Sequence, residues 1–305
     1  MTDVIKYPDN LVEALAYNNC VVFIGSGVSA TAVDGHGHGL KTWTEFIEDA
    51  KEHLFKIGYE KERELIDQQL NIGDNMTALQ LIKDFSDPGN YNYFIKKSFN
   101  GVGISASNVH RYLRNMNLKT VVSTNFDNIY ENFCKSANSG DVGYTTANYN
   151  DEKAIIDHLK SSDNLIIKAH GSIESPENII FTRDEYYAAR REYPIFYKVL
   201  ESLFLSKMVL FIGYSLNDPD MSLLLDSAAN VCSSGTPHYV LVPEGEPDHK
   251  KEHWLKNYNI KAIEYSAESD NRYEKFEDAI ECLYDEVVGV QGDLNISPGA
   301  IPRDI

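Results

Sequence analysis

The chain has 305 residues, 43% of them hydrophobic, and carries 28 basic against 46 acidic side chains for a formal net charge of −18. That length and apolar content suit a folded protein with a substantial core, built as one large domain or two small ones. The negative charge repels nucleic-acid phosphate and anionic lipid at long range, which disfavours direct binding of DNA, RNA or a membrane surface.

The opening stretch MTDVIKYPDN has neither the basic nor the apolar region of a signal peptide, and no apolar run approaches the ~20 residues needed to cross a bilayer. A cytoplasmic protein is expected. In NNCVVFIGSGVSA, residues 18–30, the continuous run Val21, Val22, Phe23, Ile24 reads as a buried strand of a parallel sheet. The glycines that follow permit a sharp turn and a close approach of ligand to backbone. Ser26, Ser29 and the next helical turn supply hydroxyls and N–H groups, so the segment reads as a phosphate cradle. GSGVSA also fits the permissive dinucleotide fingerprint G-x-G-x-x-G/A; a plain glycine turn between strand and helix is the alternative. DGHGHG then sets His36 and His38 near Asp34, a weak metal pattern better read as a solvent loop or a lid over the cradle.

From about residue 43 to 117 the spacing is helical, as in WTEFIEDAKEHLF and MTALQLIKDF, with breaks at SDPGN and FNGVG. Strand-like runs return at KTVVST, NLIIKAHG, KMVLFIGYS, HYVLVP and IKAIEYS, separated by helix-like FDNIYENFCKS and PDMSLLLDSAANV. The alternation predicts an α/β fold, a Rossmann-like doubly wound parallel sheet with an inserted helical subdomain. Expected boundaries are a core over about 1–42 and 118–288, an insertion over about 43–117 and a tail over 289–305. Cys20, Cys134, Cys232 and Cys282 form no C-x-x-C pair, which excludes a zinc ribbon and argues against a disulfide framework.

Ligands of open parallel sheets sit beyond the carboxyl ends of the strands. Four runs end in polar groups: Gly25, Ser26, Gly27 and Ser29; Thr124, Asn125 and Asp127; His170, Gly171 and Ser172; Gly213, Ser215, Asn217 and Asp218. Any one of these is compatible with a turn or helix cap. All four at equivalent ends of one sheet point to a site.

In that order GSGVS, STNFD, KAHGS and GYS resemble the glycine loop, asparagine-aspartate, histidine-glycine and late glycine-serine motifs of the sirtuin-like family of NAD-consuming proteins. The resemblance covers roughly residues 10–245, and Trp43 in LKTWTEF matches a tryptophan common in the bacterial branch. The chain departs from deacetylating sirtuins in lacking the four-cysteine zinc module and in having STNFD where they carry T-Q-N-I-D. What remains resembles bacterial effectors of anti-phage defence, which implies hydrolysis of NAD+ as substrate, no metal and no lysine deacetylation.

On that resemblance His170 is the expected general base, for water or a ribose hydroxyl. Asn125 orients water or ribose, and Asp127 either fixes the nicotinamide carboxamide or caps the next helix. Gly25, Ser26, Gly27 and Ser29 cradle the pyrophosphate with Thr124 beside them, and Gly213 and Ser215 lie against the adenosine half. Three other readings stay open. A nucleotide sensor would use the same loops without turnover. A nucleophile elbow would centre on Ser215 in VLFIGYSLN, with His238, His249 or His253 as partner. A dehydrogenase would need Glu45 or Asp49 on the ribose.

About 60 residues follow residue 245, fewer than a separate sensor domain of usual size needs. The resemblance therefore implies a homo-oligomer gated by a partner such as a HerA-type ATPase or an Argonaute-like protein, with the acidic surface and the DLNISPGAIPRDI tail as docking elements.

Overall fold

Alternate side chains of the first apolar run go to opposite layers. In the computed structural model Val21 and Phe23 join one hydrophobic cluster and Cys20, Val22 and Ile24 join another, so strand β1 (Cys20–Ile24) is covered on both faces. Each such fully buried aliphatic or phenylalanine side chain is worth about 1.5–3 kcal/mol. The structure describes residues 5–54, 59–136, 143–214, 216, 225, 235–266 and 272–293.

The other strands are β2 (Thr120–Ser123), β3 (Tyr144–Asn148), β4 (Asn164–Lys168), β5 (Met208–Ile212), β6 (His238–Pro243) and β7 (Ile260–Tyr265). Among the described residues they form one all-parallel sheet in the order β3-β4-β2-β1-β5-β6-β7. Strand β1 lies between β2 and β5, with Phe23 paired to Val122 on one side and Phe211 on the other. The chain steps outward from β1 on one side as far as β3 and then crosses back to build the other half. Ligand crevices of doubly wound sheets open at such a reversal.

Helices cover both faces, as the alternation predicts. Helices Asp9–Ala16, Asn108–Asn115 and Arg272–Asp293 pack on one face through Leu11, Leu15, Val109, Leu113, Ile280 and Leu283. On the other face helix Pro194–Ser206 brings Phe196, Leu200 and Phe204, and helix Asp248–Tyr258 brings Trp254.

Between β1 and β2 the helices Trp43–Leu54, Glu60–Asn71, Asn75–Phe85 and Pro88–Phe99 surround their own core of Phe46, Ile47, Leu79, Ile82, Phe94 and Ile95. The SDPGN break is realised as a helix start. Asp87 caps through the N–H of Asn90 and Pro88 takes the first turn. The fifth helix of the stretch, Asn108–Asn115, belongs with the sheet.

Two differences from the pattern of the sequence have physical causes. Strand β3 was not expected, because YTTAN is a half-exposed edge strand without an apolar run. The C-terminal helix continues to Asp293, past the expected tail start, because Val287 and Gln291 are buried and Gln291 Nε2 donates to Met116 O at 3.2 Å. The remaining tail and most of PDMSLLLDSAANV lie outside the described residues.

Candidate functional site

The loops after β1 and β5 can meet only because three glycines face one another. A Cβ on Gly25 would fall 2.6 Å from Gly213 O, one on Gly27 2.7 Å from Gly213 Cα, and one on Gly213, whose φ is +58°, 2.6 Å from Val28 N. The close approach lets Gly27 N–H donate to Gly213 O at 2.8 Å and Gly25 N–H to Ile212 O at 3.1 Å. Gly213 thus backs the glycine turn. The N–H groups of Gly25 and Gly27, part of the expected cradle, are already engaged by the sheet, leaving the short helix Ser26–Ser29 facing the cleft.

A buried network links this helix to the loop after β2. Ser29 Oγ donates to Asp127 Oδ2 at 2.7 Å and accepts from Asn125 Nδ2 at 2.9 Å, while Asn125 Nδ2 also donates to Gly25 O at 3.0 Å. Both amide protons of Asn125 are therefore spent on protein, which fixes the amide and leaves Oδ1 as the atom it offers a bound molecule. Asp127 Oδ1 accepts from the N–H of Ile129 at 3.0 Å and so caps helix Ile129–Ser136. With both oxygens occupied, Asp127 braces the network.

Beneath it Lys168, fully buried, pairs with buried Glu131 at 2.8 Å and donates to the Asp127 carbonyl. Burial raises the Glu131 carboxyl and the Lys168 charge opposes that rise. The cation is aimed at main chain as well as carboxylate, so it ties β4 to the Asp127 turn.

The loop after β4 is zipped to the same turn. Ala169 N donates to Ser123 O at 2.8 Å, Ile173 N to Phe126 O at 3.0 Å, and Ser172 Oγ to Asn128 Oδ1 at 3.0 Å. Gly171 has φ +81°, and a Cβ there would strike Asn178 O at 2.5 Å. This turn sets the buried His170 in the wall of the cleft, T-shaped with Tyr186 at 5.3 Å between ring centroids. Phe126 and Ile173 enter the core of the helices between β1 and β2, where Phe126 meets Phe181 at 4.8 Å and Phe99 at 5.5 Å.

The result is a cleft of about 670 Å³, large enough for a dinucleotide-sized ligand. Gly25, Ser26, Gly27, Ser29, Thr124, Asn125, Asp127 and His170 all line it. Gly213 lies just behind the wall, and Ser215, Asn217 and Asp218 lie outside the described residues. Lining residues to which the sequence assigns no role are Tyr186, Lys41, two residues before Trp43, and Asp74, a helix cap; Tyr214 stands inside GYS. Phe126 stood inside STNFD and could have been found from its place between Asn125 and Asp127.

Other candidates are placed elsewhere or otherwise engaged. His36 and His38 sit in an exposed turn, where both backbone N–H groups donate to Asp34 Oδ1 at 2.8 and 2.9 Å; these bonds hold the Asp34 carboxyl below its usual range. No group of three His, Cys, Asp or Glu able to hold a metal occurs among the described residues. Cys20 and Cys134 are buried in the core with thiols raised by burial, far from thiolate chemistry, and Cys282 stands on the C-terminal helix. Cys232 lies outside the described residues.

His238 opens β6, at the end of the strand away from the cleft, and accepts from Val209 N at 3.1 Å. Glu45 accepts from Thr42 N and Oγ1, and Asp49 pairs with Lys41. Glu45 and Asp49 of the dehydrogenase reading and His238 of the hydrolase reading are thus structurally engaged.

Residues 119–263 match the SIR2-like domain family, a span that holds STNFD and KAHGS and begins after the glycine loop. A protein named NAD(+) hydrolase ThsA from Acinetobacter baumannii (strain 532279) is 26% identical over 222 residues, 71% of this chain and 40% of that protein. Another of that name from Enterococcus faecium is 25% identical over 234 residues, 75% of this chain and 44% of that protein. A Bacillus subtilis protein named defense-associated sirtuin 2 is 22% identical over 233 residues, 73% of this chain and 20% of that protein. The chain spans less than half the length of these curated relatives.

Proposed function

We propose that this chain is a sirtuin-like protein that hydrolyses NAD+ to nicotinamide and ADP-ribose as an effector of anti-phage defence. The observation that carries the reading is the fixed Asn125 amide, its Oδ1 offered to the same cleft that His170 lines. The names of the relatives point to the same substrate.

Breaking the bond between nicotinamide N1 and ribose C1′ sends the electron pair to the departing nicotinamide and leaves an oxocarbenium-like sugar. Water adds its oxygen to C1′ and loses a proton to the His170 imidazole. Asn125 Oδ1 accepts a hydrogen bond from that water or from a ribose hydroxyl and so fixes the angle of attack. Asp127, through Ser29 and the cap at Ile129, keeps the Asn125 loop from shifting. Ser26, Ser29 and Thr124 face the phosphates and ribose. The aromatic wall of Phe126, Tyr186 and Tyr214 excludes bulk water beyond the attacking molecule. The groups named suffice without a metal, and lysine deacetylation is not expected.

Chromatography of NAD+ incubated with the purified chain tests this directly: nicotinamide and ADP-ribose should appear in equal amounts. NAD+ left intact under activating conditions would make the cleft a nucleotide-binding module instead. A homo-oligomer in the cytoplasm, switched by a partner such as a HerA-type ATPase, completes the proposal. Sizing the chain and assaying turnover with and without the neighbouring gene's product checks that part.

A further inference from the structure

We propose that Lys41 is a phosphate-binding residue, holding the pyrophosphate of the dinucleotide from the segment that returns over the end of the Ser26–Ser29 helix. The inference rests on the dinucleotide reading of the site and adds a residue outside the four strand-end motifs.

Among the described residues that line the cleft, Lys41 is the one lysine or arginine, whereas Asp74 and Asp127 also line it and the whole chain carries −18. A pyrophosphate entering this cleft therefore meets two carboxylates and a single long cation. The glycine turn does not compensate fully, since the N–H groups of Gly25 and Gly27 donate to Ile212 O and Gly213 O.

The position suits the task. A Cβ on Gly39 would lie 3.3 Å from Ala32 O and 4.0 Å from Ala30 O, so the chain returns directly over the end of the Ser26–Ser29 helix two residues before Lys41. The ammonium lies over the ring of Phe94 at 5.7 Å and is paired with Asp49. Side-chain exposures of 37% and 40% leave that pair in contact with water. An exposed pair of this kind is worth at most about 1 kcal/mol, so a dianionic ligand can displace the carboxylate. Lysine acts at phosphate as a mobile point charge, which fits a residue that must exchange Asp49 for ligand.

The test is calorimetric binding of ADP-ribose, adenosine and 2′-phospho-ADP-ribose to the wild type, Lys41→Met and Asp49→Asn, each at low and high salt. Lys41→Met should weaken ADP-ribose about tenfold or more, the scale of a lost hydrogen bond to a charged group, leave adenosine within about twofold, and flatten the salt dependence. Asp49→Asn, which releases the lysine, should tighten ADP-ribose. Both positions are partly exposed, so the fold is retained and is checked by an unchanged melting temperature.

Unchanged ADP-ribose affinity in Lys41→Met, an equal loss for adenosine, or a loss confined to the 2′-phospho ligand would overturn the assignment. Binding is read without turnover, so the two proposals fail separately. A chain that binds ADP-ribose through Lys41 yet leaves NAD+ intact removes hydrolysis alone. A chain that cleaves NAD+ with Lys41→Met affinity intact removes this inference alone.

Discussion

The two walls of the cleft are built on opposite principles. On the sheet side Ser29, Asn125, Asp127 and His170 are all buried and the first three are bonded to one another. On the side of the inserted helices Lys41, Thr42, Asp74 and Asn75 are partly or largely exposed and rest on surface contacts: Lys41 with Asp49, Thr42 with Glu45, Asp74 with Thr77. The rigid wall fixes the geometry of the reacting atoms, and the exposed wall governs admission and affinity. Substitutions on the first should act on kcat, those on the second on KM.

The largest effect is expected where the rigid wall joins the sheet. Gly213→Ala places a methyl 2.6 Å from backbone at Val28 in a residue with φ +58°, which no side-chain rotation relieves. A loss of more than ~2 kcal/mol of stability is expected from strain and displaced backbone together, with activity falling in parallel. Denaturant unfolding measures it, and a Gly213→Ala protein of unaltered stability would mean that the glycine contact is not structural.

Next come the polar groups themselves. His170→Ala and Asn125→Ala should each lower kcat by roughly 10²-fold or more, with KM changed little, because each removes a group positioned for the transition state. Ser29→Ala leaves the Asn125 amide one partner short and should give a smaller loss, about tenfold, again in kcat. Initial rates over a range of NAD+ separate the two constants. A fall confined to KM in His170→Ala would move that residue from chemistry to binding.

The pH behaviour separates the sheet scaffold from the site. Burial lowers His238 from 6.5 to about 4. Between those values the unfolded chain takes up a proton that the folded chain refuses, so stability falls as the pH drops from 6.5 towards 4 and this contribution levels off below. The full loss for one such histidine is on the order of 3 kcal/mol. His110, also lowered to about 4 by burial but partly sustained by the Asp127 charge, adds in the same direction. Melting temperatures at pH 7 and pH 5 should therefore diverge, and less so in His238→Phe, which is weaker throughout because Val209 N–H loses its acceptor. An identical pH slope in both proteins would remove His238 from the account.

The rigid wall was legible in the sequence because its parts announce themselves locally. Strands of four or five residues with apolar centres lead into Gly25, Thr124, His170 and Gly213, and the parallel sheet brings those ends together. The detailed roles were not legible. Asn125 can donate or accept in the abstract, and only the placement of Gly25 O and Ser29 Oγ makes it an acceptor toward the cleft. Asp127 was open between ligand and cap until Ile129 N–H was seen to occupy it. The exposed wall was almost silent: Lys41 stands two residues before Trp43 but in none of the four strand-end motifs, and it reaches the cleft because the chain doubles back over Ala30 and Ala32, a tertiary fact with no local signature.

The smallest expected effect tests the exposed wall on its own terms. Asp74 caps helix Asn75–Phe85, accepting from Thr77 N at 3.0 Å and Thr77 Oγ1 at 2.7 Å, and its carboxyl is held below the usual range by those bonds. Asp74→Ala should cost about 1 kcal/mol, the ordinary value of an N-cap, whereas Asp74→Asn, which still accepts from the same N–H, should cost only a few tenths. Asp74 also lines the cleft facing incoming phosphate. Removing its charge should therefore lower KM slightly in Asp74→Asn, while Asp74→Ala trades that gain against a loosened helix start. In both, kcat should stay within about twofold, since neither touches the buried network. The depressed carboxyl gives the wild type alone a contribution that is present above the unfolded pKa and is lost as pH falls through the folded one, so the gap between wild type and Asp74→Asn should close in acid. A large fall in kcat for Asp74→Asn would show that the two walls are coupled and that the division between chemistry and admission does not hold.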